Sequence, residues 1–146
     1  MIEYSRDRFG PNINIRAQEG ALEVGVLQAD LEPGGIVCVK AADVEESHTR
    51  RGIGTRMYEE LRDWILEIGR SEIRGSLEGS GIVQIREKVF GPGNTRYLLG
   101  EYEMTYEEAV KHMDVDFGYL IAVTKLKDKA YGRRDKETDR TDLVRC

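Results

Sequence analysis

The spacing of the apolar residues changes once along this chain, at Ile53, and that change limits the folds available to it. Before Ile53, three segments carry apolar residues at alternate or nearly alternate positions, as β-strands do: NINIRAQ, ALEVGVLQADL and GIVCVKAADV. The turn residues Glu19-Gly20 and Glu32-Pro33-Gly34-Gly35 predict antiparallel hairpins, with no helix before the third of these strands. From Ile53 onward, apolar residues recur every three or four positions and predict one amphipathic helix: Ile53, Met57, Leu61, Trp64, Ile65 and Ile68.

The rest of the chain shows further strand and helix patterns. Gly69 ends the first helix, because glycine tolerates the left-handed conformation found there. There follow a short strand EIRGSL, a helix over about GIVQIREKVF, a strand TRYLLGEY, a short helix YEEAVKHM and a final strand FGYLIAVTKL. Thr105 and Glu108 have the spacing of a capping box. We predict one α/β domain over residues 1–126 and a charged tail over 127–146, typical of disorder or loose surface attachment.

Composition argues against several classes of protein. The chain has 146 residues, with 22 basic and 27 acidic side chains and a net charge of −5, which argues against nonspecific binding of nucleic acid. No apolar run approaches the roughly 20 residues of a membrane span, and the charged N-terminus lacks the apolar core of a signal peptide. Cys38 and Cys146 have no metal-binding spacing and make no convincing disulfide pair, which predicts a reducing, cytoplasmic setting.

The turn RRGIGT, at positions 50–55, has the chemistry of an anion-binding site. The first backbone N–H groups of a helix have no intrahelical partner, and the helix dipole places partial positive charge there. Gly52 and Gly54 remove the Cβ atoms that would hold a phosphate away, and Arg50 and Arg51 add donors suited to phosphate oxygens. We therefore interpret the turn as a pyrophosphate-binding loop.

Other interpretations of this turn are weaker. It lacks the third glycine and the downstream acidic residue of a dinucleotide fingerprint, and it lacks the Gly-Lys-Ser/Thr of a P-loop. A turn with solvated arginines and no ligand stays open as the purely structural alternative.

The stretch VEESHTRRGIGTRMYEEL resembles motif A of the GNAT acetyltransferase superfamily, whose pattern is Gln/Arg-x-x-Gly-x-Gly/Ala. The resemblance implies a GNAT-like mixed, mostly antiparallel twisted sheet with flanking helices, here lacking the helices between the first two strands. It also implies that acetyl-CoA binds between the strands IVCVKAADV and EIRGSL. The pantetheine arm would pair with the backbone near Ala42, Asp43 and Val44. The pyrophosphate would lie on the backbone amides of Arg50, Arg51, Gly52, Ile53, Gly54 and Thr55.

The sequence departs from the family pattern in two places. Thr49 stands where the first motif position usually has Gln or Arg. By rough alignment, Arg86 stands where many members carry a tyrosine that protonates the departing thiolate. Arginine does not donate a proton at neutral pH, although it can stabilise a thiolate electrostatically.

Acetyl transfer to an amine needs an oxyanion donor and a base. The backbone N–H of Val44 is a candidate donor, and the carboxylates of Glu45 and Asp43, with Glu45 favoured, are candidate catalytic bases. Other candidates are weaker: His48, taken as an exposed side chain, His112, Tyr97, Tyr102 and Tyr119. Solvated residues at a strand end, or packing roles, are the alternative for all of them.

We therefore predict an N-acetyltransferase that moves acetyl from acetyl-CoA to a primary amine by direct attack in a ternary complex. An open acceptor side and an acidic surface favour a protein lysine or N-terminus as acceptor, without metal, nucleic acid or membrane as partners. The alternative is a catalytically degenerate protein of the same fold that binds CoA and serves as a protein-interaction module.

Overall fold

The computed structural model describes residues 1–77, 80–115 and 120–126, and within them eight strands form one sheet beside three α-helices. The strands are β1 (Ile2–Phe9), β2 (Asn12–Glu19), β3 (Leu22–Glu32), β4 (Ile36–Val44), β5 (Glu72–Leu77), β6 (Thr95–Leu99), β7 (Tyr102–Met104) and β8 (Leu120–Lys125). The helices are α1 (Ile53–Glu67), α2 (Ser80–Phe90) and α3 (Tyr106–Val115), and a short 3-10 helix spans Glu46–His48. The strand order is β1-β2-β3-β4-β5-β8-β6-β7, and among the described strands only β4 and β5 pair in parallel. The predicted mixed, mostly antiparallel sheet is confirmed.

The first four strands form an antiparallel meander. β1 was not predicted as a strand, yet it pairs with β2 along its whole length, from Ile2 opposite Glu19 to Phe9 opposite Asn12. This strand has no clear apolar alternation in the sequence, because β1 is an edge strand with few apolar residues facing the core. The turns between β1, β2 and β3 have two residues each and use Gly10 and Gly20 at positive φ, so no helix lies between these strands.

The parallel pairing of β4 and β5 is short. It runs from Ile36 opposite Glu72 to Val39 opposite Gly75, and β4 then continues to Val44 without β5. On its other edge β4 stays paired with β3, although the register shifts so that Lys40 becomes the extra residue of a bulge. The last five residues of β4 therefore have one backbone edge that no strand covers within the described residues.

Helices α1 and α2 contact each other and enclose the main core. α1 lies against β2, β3 and β4, whereas α2 lies against β5 and β6. The predicted stripe on α1 is confirmed, since four of its members are buried against the sheet: Ile53, Met57, Leu61 and Ile65. Trp64 lies at the rim, where the Arg6 guanidinium sits 5.4 Å from its ring centroid.

The C-terminal part follows the predicted order with one correction. The segment TRYLLGEY is a hairpin rather than one strand, because Gly100 adopts positive φ between β6 and β7. The capping box at α3 is confirmed: Glu108 N–H donates to Thr105 Oγ1 (3.1 Å) and Thr105 N–H donates to Glu108 Oε1 (2.9 Å). The predicted tail, residues 127–146, lies outside the described residues.

The cysteine prediction needs a second correction. Cys38 is buried on β4 and is disulfide-bonded, contrary to the expectation of no disulfide. The other cysteine, Cys146, lies outside the described residues. The prediction of a reducing, cytoplasmic setting rested on unpaired cysteines, and the disulfide bond of Cys38 removes that argument.

The packing of α1 makes a prediction about stability. Replacing the fully buried Leu61 by alanine should lower the free energy of unfolding by about 2–5 kcal/mol, because it removes apolar contacts and leaves a cavity. Leu22, which is 56% exposed on β3, is the matched control, and Leu22→Ala should change that free energy by no more than about 0.5 kcal/mol. Equal losses in urea denaturation would contradict the described packing.

Candidate functional site

The loop between β4 and α1 has an unusual backbone. Arg50 has φ 65° and is the one non-glycine residue of the described chain with positive φ, and Gly52 follows with φ 80° and ψ 9° as the N-cap of α1. Left-handed conformations separated by one residue curl a backbone so that successive N–H groups form a concave surface. The strained residue is therefore found in the loop that the sequence marked as anion-binding.

The N-terminus of α1 offers backbone donors. Its first hydrogen bond runs from Arg56 N–H to the Gly52 carbonyl (3.0 Å), and no side chain caps the helix. The N–H groups of Ile53, Gly54 and Thr55 precede this bond and have no place in the helical ladder. The helix dipole adds positive potential at the same point, so the site favours an anion.

These donors face a cavity of about 460 Å³, within the range of small-molecule sites. One wall is the loop and the first turn of α1, and the other is the first two turns of α2. The lining residues are Val44, His48, Thr49, Arg50, Gly52, Ile53, Gly54, Thr55, Gly81, Ile82 and Ile85. Six of the eight residues predicted to bind the cofactor line this one cavity: Val44, Arg50, Gly52, Ile53, Gly54 and Thr55.

The two glycines of the turn are required for different reasons. Gly52 is open on all sides, with nothing within 4 Å of the position that a Cβ would occupy, but its φ of 80° disfavours any L-side chain. Gly54 has helical backbone, and a Cβ there would lie 3.2 Å from Ile85 Cδ1. Gly52 therefore shapes the loop, whereas Gly54 lets α2 approach α1 beside the cavity.

The two arginines of the turn also differ. Arg50 lines the cavity, whereas Arg51 does not, because its Nη2 lies 3.5 Å from Glu19 Oε2. Glu19 is the last residue of β2, so the ion pair ties the loop to the meander. Of the two guanidinium groups, that of Arg50 is the one placed to meet a bound anion.

His48 is buried, which corrects the expectation of an exposed side chain. Its Nε2 lies 2.8 Å from Glu19 Oε1 and its Nδ1 lies 2.8 Å from Ser47 Oγ. The hydrogen bond with His48, together with the charge of Arg51, holds the pKa of Glu19 below its usual value. His48 thus ties the loop to the end of β2 through Glu19 and also lines the cavity.

A second, smaller cavity of about 20 Å³ lies where β4 and β5 part. Its lining residues are Val39, Lys40, Ala41, Ala42, Tyr58, Ser76 and Ile82. Ile82 borders both cavities, so the two spaces adjoin along α2. Ala42, predicted to lie beside the pantetheine arm, is at this second position. The uncovered edge of β4 thus connects the two cavities, since Val44 lines the large cavity and the residues from Val39 to Ala42 line the small one.

The carboxylates predicted as bases lie outside both cavities. Asp43 is exposed and, by strand alternation, faces away from the helices toward which Ala42 and Val44 pack. Glu45 is exposed just after β4 and donates its backbone N–H to the Val24 carbonyl (2.8 Å). The structure therefore places Asp43 on the face of the sheet opposite α1.

The remaining predicted candidates are scattered. Tyr97 is buried on β6 and donates to Glu87 Oε1 (2.6 Å), and burial, with this bond, raises the pKa of Tyr97 far above its usual value. Tyr102 is 56% exposed on β7, and His112 lies on α3 with Nε2 buried and unpartnered. Tyr119 lies outside the described residues. None of those described borders the two adjoining cavities.

The burial of Arg86 could not be predicted from the sequence. It lies on α2 with 0% of its surface exposed, and its Nε and Nη1 have no hydrogen-bond partner among the described residues. Its guanidinium carbon is 5.5 Å from the ring centroid of Tyr58, and its Nη2 would be 2.8 Å from a Cβ on Gly75. An uncompensated charge therefore lies at the point where β4 and β5 stop pairing.

Comparison with known structures shows that the fold of this chain is similar to that of GNAT acetyltransferases. No family model and no curated protein matches the sequence. Among solved structures, the ribosomal-protein-S18-alanine N-acetyltransferase from Escherichia coli is similar, with TM-score 0.61, 13% identity and coverage of 88% of this chain and 77% of that one. The IAA acetyltransferase from Bacillus cereus gives TM-score 0.57 and 14% identity over 80% of this chain and 79% of that one.

A third similar structure holds a ligand. It is the PaiA N-acetyltransferase from Thermoplasma acidophilum in complex with coenzyme A, with TM-score 0.55, 12% identity and coverage of 79% and 61% of the two chains. At 12–14% sequence identity, these comparisons show similarity of fold alone. The chain has the GNAT fold that the loop motif predicted.

Within the described residues, two further findings limit the site. No group of three or more His, Cys, Asp or Glu side chains is arranged to hold a metal ion. No helix there is long and apolar enough to cross a membrane.

The loop geometry makes a second prediction about stability. Gly52→Ala should lower the free energy of unfolding by about 1 kcal/mol, because alanine at φ 80° is strained although space is available. Gly81→Ala, on α2 with equal space and no positive φ, is the control and should raise that energy by about 0.5 kcal/mol. Chemical denaturation of both variants measures the difference, and a destabilisation of similar size in both would refute the role assigned to backbone conformation.

Proposed function

We propose that this protein is an acetyl-CoA-dependent N-acetyltransferase that transfers acetyl to a primary amine. The observation that carries the proposal is the end of β4–β5 pairing at Val39 and Gly75. Beyond this point β4 continues to Val44, and the loop that follows leads to the backbone donors at the N-terminus of α1. The GNAT fold of the chain supports it, since the similar solved structures are named as acetyltransferases.

The open edge of β4 suits an extended ligand. From Val39 to Val44 the strand spans roughly 16 Å, and an unpaired strand edge accepts amide groups as another strand would. A pantetheine arm carries two amides along a chain of comparable length. The pyrophosphate would then lie on the amides of 50–55 and the thioester at the small cavity.

The proposed acceptor is a protein lysine or N-terminus. Within the described residues, a two-residue turn joins β1 to β2 where the resemblance would place helices that shape the acceptor pocket, and this favours a large acceptor. The net charge of −5 favours a basic partner. One similar structure is an alanine N-acetyltransferase of a ribosomal protein, which is an acceptor of this class.

The proposed chemistry is direct attack in a ternary complex. The amine attacks the thioester carbonyl, a backbone N–H of β4 beside the small cavity, rather than the more distant Val44 N–H, is the proposed oxyanion donor, and the carboxylates of Asp43 and Glu45 are the proposed proton acceptors. Cys38 is disulfide-bonded and supplies no thiol for an acyl-enzyme intermediate. Initial-rate patterns should therefore be those of a ternary complex rather than of ping-pong kinetics.

Cofactor binding is tested first. At a hundredfold excess over its dissociation constant, coenzyme A should add about 2.7 kcal/mol to the free energy of unfolding, measured by thermal shift. ATP, which has phosphates but no pantetheine arm, should add less. Arg50→Ala should weaken coenzyme A binding about tenfold or more, because a charge-assisted contact is lost, whereas Arg51→Ala, whose partner is Glu19, should weaken it less than about threefold. Equal effects would remove Arg50 from the proposed site.

Transfer is tested by release of free coenzyme A from acetyl-CoA, with mass spectrometry of the acceptor. Lysine-containing and free N-terminal peptides should be acetylated faster than small amines such as spermidine. Acetylation of small amines alone would overturn the protein acceptor. Binding of coenzyme A without transfer to any amine would favour the alternative function, a protein-interaction module that retains the cofactor site.

A further inference from the structure

We propose that the C-terminal segment, residues 127–146, lies across the face of the sheet opposite the three described helices and is held there by a disulfide bond between Cys38 and Cys146. The segment is then a strap that oxidation fastens and reduction releases. None of the residues that it covers lines either cavity of the proposed cofactor site, so the strap is independent of acetyl transfer.

The described helices all pack on one face of the sheet. Val37 and Val39 on β4 belong to the core beneath α1, and Ala122 on β8 belongs to the core beneath α2 and α3. Side chains alternate between the two faces along a strand. Cys38, between the two valines, and Val123, next to Ala122, therefore lie on the opposite face.

One row of paired residues crosses this opposite face. Cys38 on β4 is paired with Arg74 on β5. Val123 on β8 is paired with Arg74 on one side and with Arg96 of β6 on the other. Directly paired residues project from the same face of a sheet, so the row extends over four strands and roughly 14 Å.

The row is buried, although no described helix lies on its face. The exposed fraction is 2% for Cys38, 8% for Arg74 and 5% for Val123. Arg74 forms an ion pair with Glu72, and each of these two side chains is 9% exposed. The Lys40 side chain, two positions along β4 from Cys38, is 45% exposed. The row therefore has a cover that the described helices do not supply, and the cover ends between Cys38 and Lys40.

The interactions of these residues indicate what the cover contains. Cys38 is disulfide-bonded. Arg74, Arg96 and Lys125, which follows Val123 by two positions on the same face, each have an interaction partner besides the pairs named above. Cations bind carboxylates more strongly than neutral acceptors. The covering segment therefore has to bring a cysteine and groups that bind cations.

Residues 127–146 meet both requirements. The chain has two cysteines, so Cys146 is the partner that the same chain offers to Cys38. Among seven basic side chains, the segment also carries five carboxylates that can reach the three cations: Asp128, Asp135, Glu137, Asp139 and Asp142.

The length of the segment and the point where it begins also fit. Leu126, the last described residue, directly follows β8, and its N–H donates to the Ser71 carbonyl (2.8 Å). Cys38 lies two strands away from β8, roughly 10 Å across the sheet. Twenty residues at up to about 3.3 Å each exceed this distance several times. The segment can therefore cover the row before its last residue reaches Cys38.

The strap is attached close to the end of β4–β5 pairing. Cys38 and Arg74 form the pair directly before the last one, which joins Val39 to Gly75. A segment that leaves β8 and is bonded to β4 also ties these two strands together across β5. Closing so long a loop restricts the unfolded chain, so the bond should stabilise the folded state.

Release of the strap needs an external reductant, for which a small dithiol suffices. Its thiolate attacks one sulfur of the bond, and a second attack within the mixed disulfide completes the exchange. Two electrons and two protons pass to the protein: both cysteines become thiols and the dithiol becomes a disulfide. The freed segment would then expose the ion pair of Arg74 with Glu72 and the apolar side chain of Val123.

The bond is tested by peptide mapping of the full chain after oxidation with glutathione disulfide. Mass spectrometry should find one linked pair of peptides, containing Cys38 and Cys146, that dithiothreitol separates. The melting temperature of the oxidised chain should exceed that of Cys146→Ser by about 10 °C, and dithiothreitol should remove the difference. Failure to link these two cysteines, or a bond between Cys38 residues of two copies, would overturn the proposal.

The cover is tested by hydroxyl-radical footprinting of the oxidised chain and of Cys146→Ser. Leu98, which is 6% exposed and two positions after Arg96 on the same face, should react at least about threefold faster in the variant. Leu22, which is 56% exposed on β3, is the control of the same residue type and should react equally in both. Equal protection of Leu98 in the two proteins would show that the disulfide does not hold the segment on this face.

Discussion

Backbone pairing between β4 and β5 stops after Val39 and Gly75, and the functional geometry of the chain depends on that interruption. Antiparallel strands on either side hold both partners in place: β3 continues along β4 to Val44, and β8 continues along β5 to Leu77. The two strands can therefore separate without either losing its place in the sheet. The edge of β4 beyond Val39, which no other described strand covers, then borders both cavities.

The residues around this opening are not arranged for maximum stability. Arg50 and Gly52 hold left-handed conformations, and the buried charge of Arg86 has two nitrogens without partners. Glycine adopts this conformation at little cost, but the left-handed backbone of Arg50 and the buried charge of Arg86 are unfavourable for the folded state and are maintained by their surroundings. Glu19 contributes to that support, since it holds both His48 and Arg51 on the far side of the loop. Such local strain is typical of sites where a ligand supplies the missing interactions.

Features that depend on the spacing of residues close together in the sequence could be predicted. The change of apolar period at Ile53, the helix-opening glycines and the capping box at Thr105 all have signatures within a few residues. Features set by distant contacts were missed. The edge strand β1 has few apolar residues, and the burial of His48 depends on Glu19, 29 positions earlier. The disulfide bond of Cys38 had no signature in the spacing of the cysteines.

Tyr58, which lines the small cavity, shows why the composition of the cavities was harder to predict than the fold. In the sequence it is one position beyond Met57 on an amphipathic helix and has the appearance of a core residue, as its 2% exposure bears out. Its chemical environment arises only when α2 packs beside α1, which the missing Cβ of Gly54 permits next to Ile85. A small anion at the loop would satisfy the helix N–H groups alone. The proposed ligand would instead extend to the Val39–Gly75 junction and cover the edge of β4, so length as well as charge would select it.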